Sequence, residues 1–146
     1  MSLYNIFDIT GTALSAQSVR LNTVASNLAN AETVSTTEAE AYRSKQPVFA
    51  AVMANVQQAG MPSDGFGQQA ATGVRVSDIV ESQAVPAKIY EPDHPMANGE
   101  GYIFKSNVNT IEEMTNMMAA SRSYQNTVEV FNTSKQLLLK TLNMGK

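Results

Sequence analysis

The sequence predicts a mainly α-helical chain with a small β-rich insert, in which long N- and C-terminal helices pair as a coiled-coil-like hairpin. Two observations predict this class. Apolar residues recur at helical spacing from Leu3 to about Asn30 and again from Thr110 to about Asn143. The stretch between them concentrates glycine and proline around short apolar runs. A chain of 146 residues has room for one modest domain but not for two well-cored ones.

The N-terminal helix is predicted by a repeat of large apolar residues. Phe7, Leu14, Leu21 and Leu28 recur every seven residues, which places them in one row on a helix. The positions three residues further on hold Thr10, Gln17, Val24 and Ala31. Because most of these are small or polar, the predicted coiled-coil seam is thin.

The middle of the chain, residues 34–107, is predicted to be the β-rich insert. Strand-like runs lie between the glycines and prolines, at Gln46–Val52, Gly73–Val76, Lys88–Tyr90 and Gly101–Phe104. Residues 57–72 are rich in Gly and Gln and are predicted to form a mobile loop. The terminal segments 1–33 and 108–146 are predicted to form the helical core domain, from which the insert faces outward.

The C-terminal helix is predicted by a stronger pattern than the first. Nine positions follow alternating steps of three and four residues, and seven of them are apolar. They are Met114, Met117, Ser121, Tyr124, Val128, Phe131, Lys135, Leu138 and Leu142. Thr110 followed by Glu113 predicts a capping box, and Gly145 predicts the helix end. A helix of about 50 Å is longer than a small domain needs for its own core, and this length predicts a partner.

Both predicted helices are poor in charge. Arg20 is the only charged residue between Ile9 and Ala31, and Arg122 and Glu129 are the only ones from Met114 to Ser134. Asn, Ser, Thr and Gln occupy the other polar positions. Such side chains can be buried at a tolerable cost if each finds a hydrogen-bond partner, whereas a lone charge cannot. Two helices in one hairpin cover each other on one side only, so we expect neighbouring copies to cover the rest, giving a helical polymer. The competing interpretation is a plain hairpin with a Ser- and Asn-rich surface.

Composition excludes several functions. The net charge of -3 with ten Lys and Arg argues against a nucleic-acid surface, and the absence of Cys excludes disulfides and thiolate chemistry. No stretch is long and apolar enough for a signal peptide or a membrane-spanning helix. We find no phosphate loop, nucleophile elbow or zinc spacing, and we expect no cofactor and no catalysis.

The only histidine offers one alternative chemistry. Glu91, Asp93 and His94 lie close together in sequence and could be drawn as metal ligands or as an acid–base group. Pro92 and Pro95 instead favour an extended turn, in which the His and the carboxylates cap neighbouring backbone groups. We expect this structural role.

Several motifs resemble those of a known family. The N-terminal ones resemble a segment shared by bacterial flagellar rod and hook proteins, and the others resemble motifs of one branch, the proximal rod. The N-terminal motifs are Ser2–Ile9, Ala13–Ser18 and Ala25–Ala31; the others are Tyr42–Lys45, Tyr90–Ala97, Ser121–Gln125 and Lys135–Leu142. The resemblance covers nearly the whole chain, with a departure at residues 53–72.

The resemblance to flagellar basal-body rod proteins implies a structural subunit. Such a subunit is exported through the flagellar type III apparatus without signal-peptide cleavage. It polymerises through its terminal helices in the periplasmic rod, with other copies of itself and with other rod proteins. That rod is the drive shaft that transmits torque and surrounds the export channel. The low count of basic residues and the lack of a long apolar stretch add the expectation of no nucleic acid and no direct membrane insertion.

The predicted assembly interface combines the helical pattern with this resemblance, which alone adds the segment around Asn27 and Asn30. Its residues are Phe7, Leu14, Leu21, Val24, Asn27, Leu28, Asn30, Met114, Met117, Tyr124, Val128, Phe131, Leu138 and Leu142. Two alternative functions stay open. One is a helical-hairpin adaptor that binds a single protein partner with its β insert, and the other is an enzyme built around His94.

Overall fold

The computed structural model describes residues 3–53 and 71–144. The first element is helix α1, Leu3–Ala29, and the last is helix α2, Thr110–Met144. Five strands lie between them: β1 Val34–Ser35, β2 Lys45–Met53, β3 Ala71–Glu81, β4 Ala87–Tyr90 and β5 Tyr102–Lys105. Neither helix, over its described residues, is long and apolar enough to cross a membrane.

The two helices pack against each other as an antiparallel pair. Phe7 near the start of α1 contacts Phe131 in the second half of α2, with ring centroids 5.3 Å apart in an edge-to-face arrangement. At the other end, the Asn27 side chain of α1 lies close enough to Glu113, near the start of α2, to lower the pKa of that carboxyl. Among the described elements, α2 contacts α1 alone. Since α2 runs on from Phe131 to Met144, it extends past the start of α1.

A long two-stranded ribbon packs on another side of α1. Strands β2 and β3 pair antiparallel from Lys45 opposite Glu81 to Met53 opposite Ala71, with a register shift between Val48 and Phe49. Both strands contact α1. Helix α1 is therefore the central element, with α2 and the ribbon as its neighbours.

Gly73 is the point of closest approach between the ribbon and α1. A Cβ atom at this position would collide with the Thr12 side chain. The Thr12 hydroxyl donates to the Ile9 carbonyl at 2.9 Å and accepts the Val74 N–H at 3.3 Å. The glycine thus lets a strand backbone lie directly against a helix.

The second sheet holds the rest of the insert. Its strand order is β1-β5-β4, and both pairings are antiparallel. The turn from Glu91 to Gly101 joins β4 to β5, and the Glu91 N–H donates to the Gly101 carbonyl at 2.9 Å. The Asn107 side chain connects this sheet to the ribbon, because it accepts the Ser44 N–H at 2.7 Å and donates to the Ala84 carbonyl at 2.7 Å.

The predicted fold class is wrong in one respect. About 22% of the chain is strand, arranged in two antiparallel sheets, so the β-rich middle is larger than a small insert. The terminal helices lie where they were predicted, but β3 runs from Ala71 to Glu81, whereas the sequence predicted a strand only at Gly73–Val76. Strand β3 contains glycine and polar residues of low strand propensity, so the sequence did not indicate its full length. Gly73 is instead required by the close approach of α1. Of the predicted loop at 57–72, residues 57–70 lie outside the described residues, and Ala71 and Thr72 belong to β3.

The start of α2 is capped differently from the prediction. The Asn109 side-chain oxygen accepts the Ile111 N–H at 3.1 Å, and the Glu113 N–H donates to the Asn109 carbonyl at 2.9 Å. Asn109 is therefore the N-cap instead of Thr110. Glu113 is buried, with its side chain directed towards α1. The predicted helix end at Gly145 lies outside the described residues.

We expect Gly73→Ala to lower the free energy of unfolding by about 1–3 kcal/mol, because the new methyl group must displace Thr12 or the ribbon. Urea denaturation of the purified chain measures the change. Gly99→Ala is the matched control, since nothing lies within 4 Å of a Cβ there. Its effect should stay within about 0.5 kcal/mol. Equal effects at the two glycines would contradict the close approach.

Candidate assembly interface

The contact between the helices combines the Phe7–Phe131 ring pair with buried side chains that are mostly small or polar. On α2 the buried residues are Glu113, Ala120 and Ser134, which lie on one face at multiples of seven residues. On α1, Ala16 and Val24 are buried. This face of α2 is offset by one position from part of the predicted seam. Met114, next to Glu113, is 52% exposed.

The predicted interface residues fall into three groups. Val24 and Asn27 are buried, and Met114, Tyr124 and Leu142 are exposed. The half-buried ones are Phe7, Leu14, Leu21, Leu28, Asn30, Met117, Val128, Phe131 and Leu138. Of the whole set, the structure brings Phe7 and Phe131 into direct ring contact across the hairpin. A role of these residues in contacts between copies stays a prediction.

Buried hydroxyl groups on α1 are satisfied by their own helix. The Thr10 hydroxyl donates to the Ile6 carbonyl at 2.7 Å, and the Thr23 hydroxyl donates to the Val19 carbonyl at 2.9 Å. Both threonines are buried. Such local bonds remove most of the desolvation cost of a buried hydroxyl. This is how a polar, charge-poor helix can be covered on more than one side.

Asn27 is fully buried, and its side chain connects α1 to Tyr42 and to Lys45, the first residue of β2. Its amide nitrogen donates to the Lys45 carbonyl at 2.8 Å, and its amide oxygen accepts the Lys45 N–H at 2.9 Å. The same oxygen accepts the Tyr42 hydroxyl at 3.0 Å. Asn27 thereby holds the first residue of the ribbon against α1, as a strand partner would. Sequence reasoning placed Asn27 in the interface by resemblance and missed this role, because the periodicity of a single helix does not reveal which loop it meets.

Glu113 is a buried carboxyl at the contact between α1 and α2. Burial raises its pKa above the ordinary value of 4.5, and the charge of Glu112 adds to this rise. The hydrogen bond with Asn27 and the charge of Arg20 lower the pKa in part. Its Oε2 atom has no hydrogen-bond partner among the described residues. Burial therefore makes the proton of Glu113 harder to lose than that of an exposed carboxyl.

The faces of the hairpin that point away from the chain have a distinct composition. On α2, large apolar side chains are exposed: Ile111, Met114, Met118, Val130, Leu137, Leu139, Leu142 and Met144. On α1, the exposed positions from Gly11 onward are small: Gly11, Ser15, Ser18, Asn22, Ala25, Ser26 and Ala29. An open groove along α2 is lined by Tyr124 and Val128 together with uncharged polar residues and Glu129.

In the turn around His94, the histidine caps a backbone group as expected, whereas Glu91 and Asp93 cap none within the described residues. The His94 Nδ1 atom accepts the Met96 N–H at 3.1 Å. Asn98, which sequence reasoning missed, does most of the capping: its side-chain oxygen accepts the Glu100 N–H at 2.9 Å and the Tyr102 N–H at 3.0 Å. Within residues 3–53 and 71–144, no cluster of three His, Cys, Asp or Glu side chains could hold a metal ion.

The fold and this site define a structural protein: a terminal helical hairpin with a β-rich middle and charge-poor outer faces. Two family models match the ends of the chain. Residues 7–34 match the model described as flagella basal body rod protein, and residues 100–144 match the C-terminal model of the flagellar basal body rod FlgEFG proteins.

Full-length relatives agree with these models. The chain is 49% identical to the flagellar basal-body rod protein FlgC of Escherichia coli O6:H1 strain CFT073 and 47% identical to that of Salmonella typhimurium strain LT2. It is 34% identical to the one of Bacillus subtilis strain 168. Each comparison covers 100% of both chains. The chain belongs to the FlgC family of flagellar basal-body rod proteins. It is a structural subunit of the basal-body rod of the flagellum, and it assembles with other flagellar rod proteins.

We expect Asn27→Ala to lower the free energy of unfolding by roughly 2–4 kcal/mol, because the Lys45 backbone groups and the Tyr42 hydroxyl lose their buried partner. Denaturant titration of the purified chain measures the loss. Asn22→Ala is the control, because Asn22 is an exposed asparagine of the same helix. A loss no larger than that of the control would show that Asn27 does not hold the ribbon.

We expect Glu113→Gln to stabilise the chain near neutral pH and to leave its stability unchanged below pH 4.5. The folded chain holds the Glu113 proton more tightly than the unfolded chain, so binding of this proton stabilises the fold. This stabilisation is complete below the unfolded pKa. It is lost as the pH rises through the raised folded pKa. The difference should reach about 1.4 kcal/mol per unit of pKa shift. Urea titrations over a pH series measure it.

Glu129→Gln serves as the control for this series, because Glu129 is an exposed carboxylate of the same helix, away from Glu113. It should not show the stabilisation that Glu113→Gln gains as the pH rises. Parallel pH profiles for Glu113→Gln and the unmodified chain would contradict a raised pKa at Glu113.

Proposed function

We propose that this rod subunit polymerises through its terminal helices, residues 1–33 and 108–146, while residues 34–107 face outward. One observation carries the proposal. Beside the Phe7–Phe131 ring contact, the buried residues of α2 are the small or polar Glu113, Ala120 and Ser134, whereas large apolar side chains of α2 such as Met118 are exposed. Apolar side chains gain free energy from burial, so their outward position favours a second, intermolecular contact.

The outer face of α2 is also poor in charge. Of the outward residues of α2 between Met114 and Ser134, only Arg122 and Glu129 are charged. A soluble helix that stays exposed usually carries mixed charges on that side. Polar groups such as Asn132 and Thr133, which line the α2 groove, can instead be buried once a neighbour supplies hydrogen-bond partners.

The outer face of α1 favours a close helix neighbour. Gly11, Ser18 and Ala25 are exposed, and no atom of the described residues outside the neighbouring helix backbone lies within 4 Å of a Cβ built on Gly11. Small side chains let the backbone of a neighbouring helix approach closely and bring many atoms into contact. In a rod, such contacts repeat at every subunit, so that torque is carried by many weak interactions in parallel.

The proposal extends to the place of the subunit in the cell, on the basis of its family. Paired termini line the tubular core around the export channel, in the periplasmic part of the rod. The subunit reaches that place through the flagellar type III export apparatus, without signal-peptide cleavage. It catalyses nothing, since a drive shaft works through its contacts.

We expect Met118→Glu to abolish incorporation into the rod and swimming, because it places a charge on the proposed interface. The Met118 side chain is 64% exposed, so the free energy of unfolding of the purified chain should change by no more than about 0.5 kcal/mol. Quantifying the subunit in isolated basal bodies, together with swimming in soft agar, measures the effect.

Two controls separate the interface from charge and exposure in general. Met118→Gln keeps the length of the side chain without the charge and should be incorporated better than Met118→Glu. Val85→Glu adds the same charge at an exposed position of the insert and should be incorporated normally, since Val85 is 74% exposed and outside the helices. Normal swimming of the Met118→Glu strain would refute polymerisation through this face.

A further inference from the structure

Most charged side chains of the insert have partners within the chain. Four cations form ion pairs: Arg43 with Glu38 at 3.8 Å, Lys45 with Glu81 at 3.6 Å, Lys88 with Glu100 at 3.9 Å and Lys105 with Glu32 at 2.6 Å. Two further carboxylates accept hydrogen bonds, Glu40 from the Thr37 hydroxyl at 3.0 Å and Asp78 from the Ile79 N–H at 2.8 Å. Local pairing within the chain is therefore the usual state of the charged side chains of the insert.

Three side chains break this pattern. Arg75 on β3, and Glu91 and Asp93 in the turn after β4, form no ion pair or side-chain hydrogen bond within residues 3–53 and 71–144. All three are exposed. The unpaired cation lies on the ribbon and the two unpaired anions on the other sheet, and these two sheets share no strand contact. The chain therefore carries complementary charges that it does not join itself.

Glu91 and Asp93 flank a preformed open groove. Its walls include Tyr90, Pro92 and Pro95. The Tyr90 side chain is 62% exposed, and its ring packs edge-to-face on Tyr102, with centroids 5.1 Å apart. At Gly101, where φ is +79°, a Cβ would lie 2.9 Å from the Tyr90 ring, so the turn closes tightly behind the groove.

This groove fits a guanidinium group better than other side chains. A guanidinium stacks on aromatic faces and donates to carboxylates at the same time. A cation already contacts an aromatic face nearby, since the Lys88 ammonium lies 3.9 Å from the centroid of the Tyr102 ring. A rigid, hydrogen-bonded turn loses little conformational entropy when it binds such a group.

We propose that Arg75 of one copy docks into the groove formed by Tyr90, Glu91, Asp93 and Pro95 of a neighbouring copy. Charge complementarity on a single chain points to a second copy as the occupant, because each subunit carries both halves of the contact. A contact between different patches on successive copies can repeat around or along a rod. This proposal depends on assembly of the subunit into the rod. It does not depend on the helix contacts proposed above.

Cysteine cross-linking tests the contact directly, because the chain has no cysteine of its own. Two differently tagged chains, one with Arg75→Cys and one with Asp93→Cys, are expressed together with the unmodified chain. Isolated basal bodies are then treated with a short bifunctional maleimide. We expect a product that carries both tags. As the matched control, Ala84→Cys, also an exposed insert position, replaces Arg75→Cys and should give no such product.

Three results would overturn the proposal: no doubly tagged product, an equal yield with Ala84→Cys, or a product in which the Asp93→Cys chain is joined to a different polypeptide. Failure of helix-mediated polymerisation is recognised separately. It would show as normal incorporation of Met118→Glu and would leave the cross-link unaffected.

Charge reversal gives a second readout. Arg75→Glu and the unmodified chain, with different tags, compete for incorporation in one strain, so basal bodies form in every case. We expect incorporation of Arg75→Glu to fall about threefold or more, because the reversed charge meets Glu91 and Asp93. Adding Asp93→Arg to the same chain should restore part of the lost incorporation. A competition ratio unchanged by Arg75→Glu, with unaltered thermal unfolding of the purified variant, would count against the contact.

Discussion

Most of the structure depends on the position of α1 between two neighbours. This helix packs on α2 along one side and on the β2–β3 ribbon along another, while α2 contacts no other element of the described chain. Buried positions on α1 must therefore serve both contacts. Small side chains, and hydroxyls that bond to their own helix, meet this requirement, since they let both neighbours approach closely while the buried Thr10 and Thr23 hydroxyls keep a hydrogen-bond partner. Asn27 fixes the ribbon end of the arrangement through its bonds to Lys45.

A hairpin built in this way is held by a modest intramolecular contact. One aromatic pair, Phe7 with Phe131, joins the helices, and the buried residues of α2 are Glu113, Ala120 and Ser134. Larger apolar groups such as Met118 are left outside. In a rod subunit, this division couples the stability of the helices to assembly, because burial of the outer groups adds free energy only when neighbours are present.

The β-rich middle follows a different rule from the helices. Its charges are numerous and mostly paired within the chain, so this part of the protein can remain exposed to water. The exceptions, Arg75 against Glu91 and Asp93, are matched in sign and lie on separate sheets. Apolar contacts between helices and a directional charged contact between inserts would act together, the first supplying free energy and the second fixing orientation.

Both terminal helices and the family are readable from the sequence, because a helical apolar repeat persists over several turns. The sequence could not reveal which neighbour covers which face. Phe131 of the predicted seam contacts Phe7, but the buried residues of α2 are Glu113, Ala120 and Ser134. The length of β3, the glycine at position 73 and the role of Asn27 emerge only in the folded chain, because all three arise where α1 meets the ribbon. Local propensity carries no information about such contacts, because their energy comes from groups that only folding brings together.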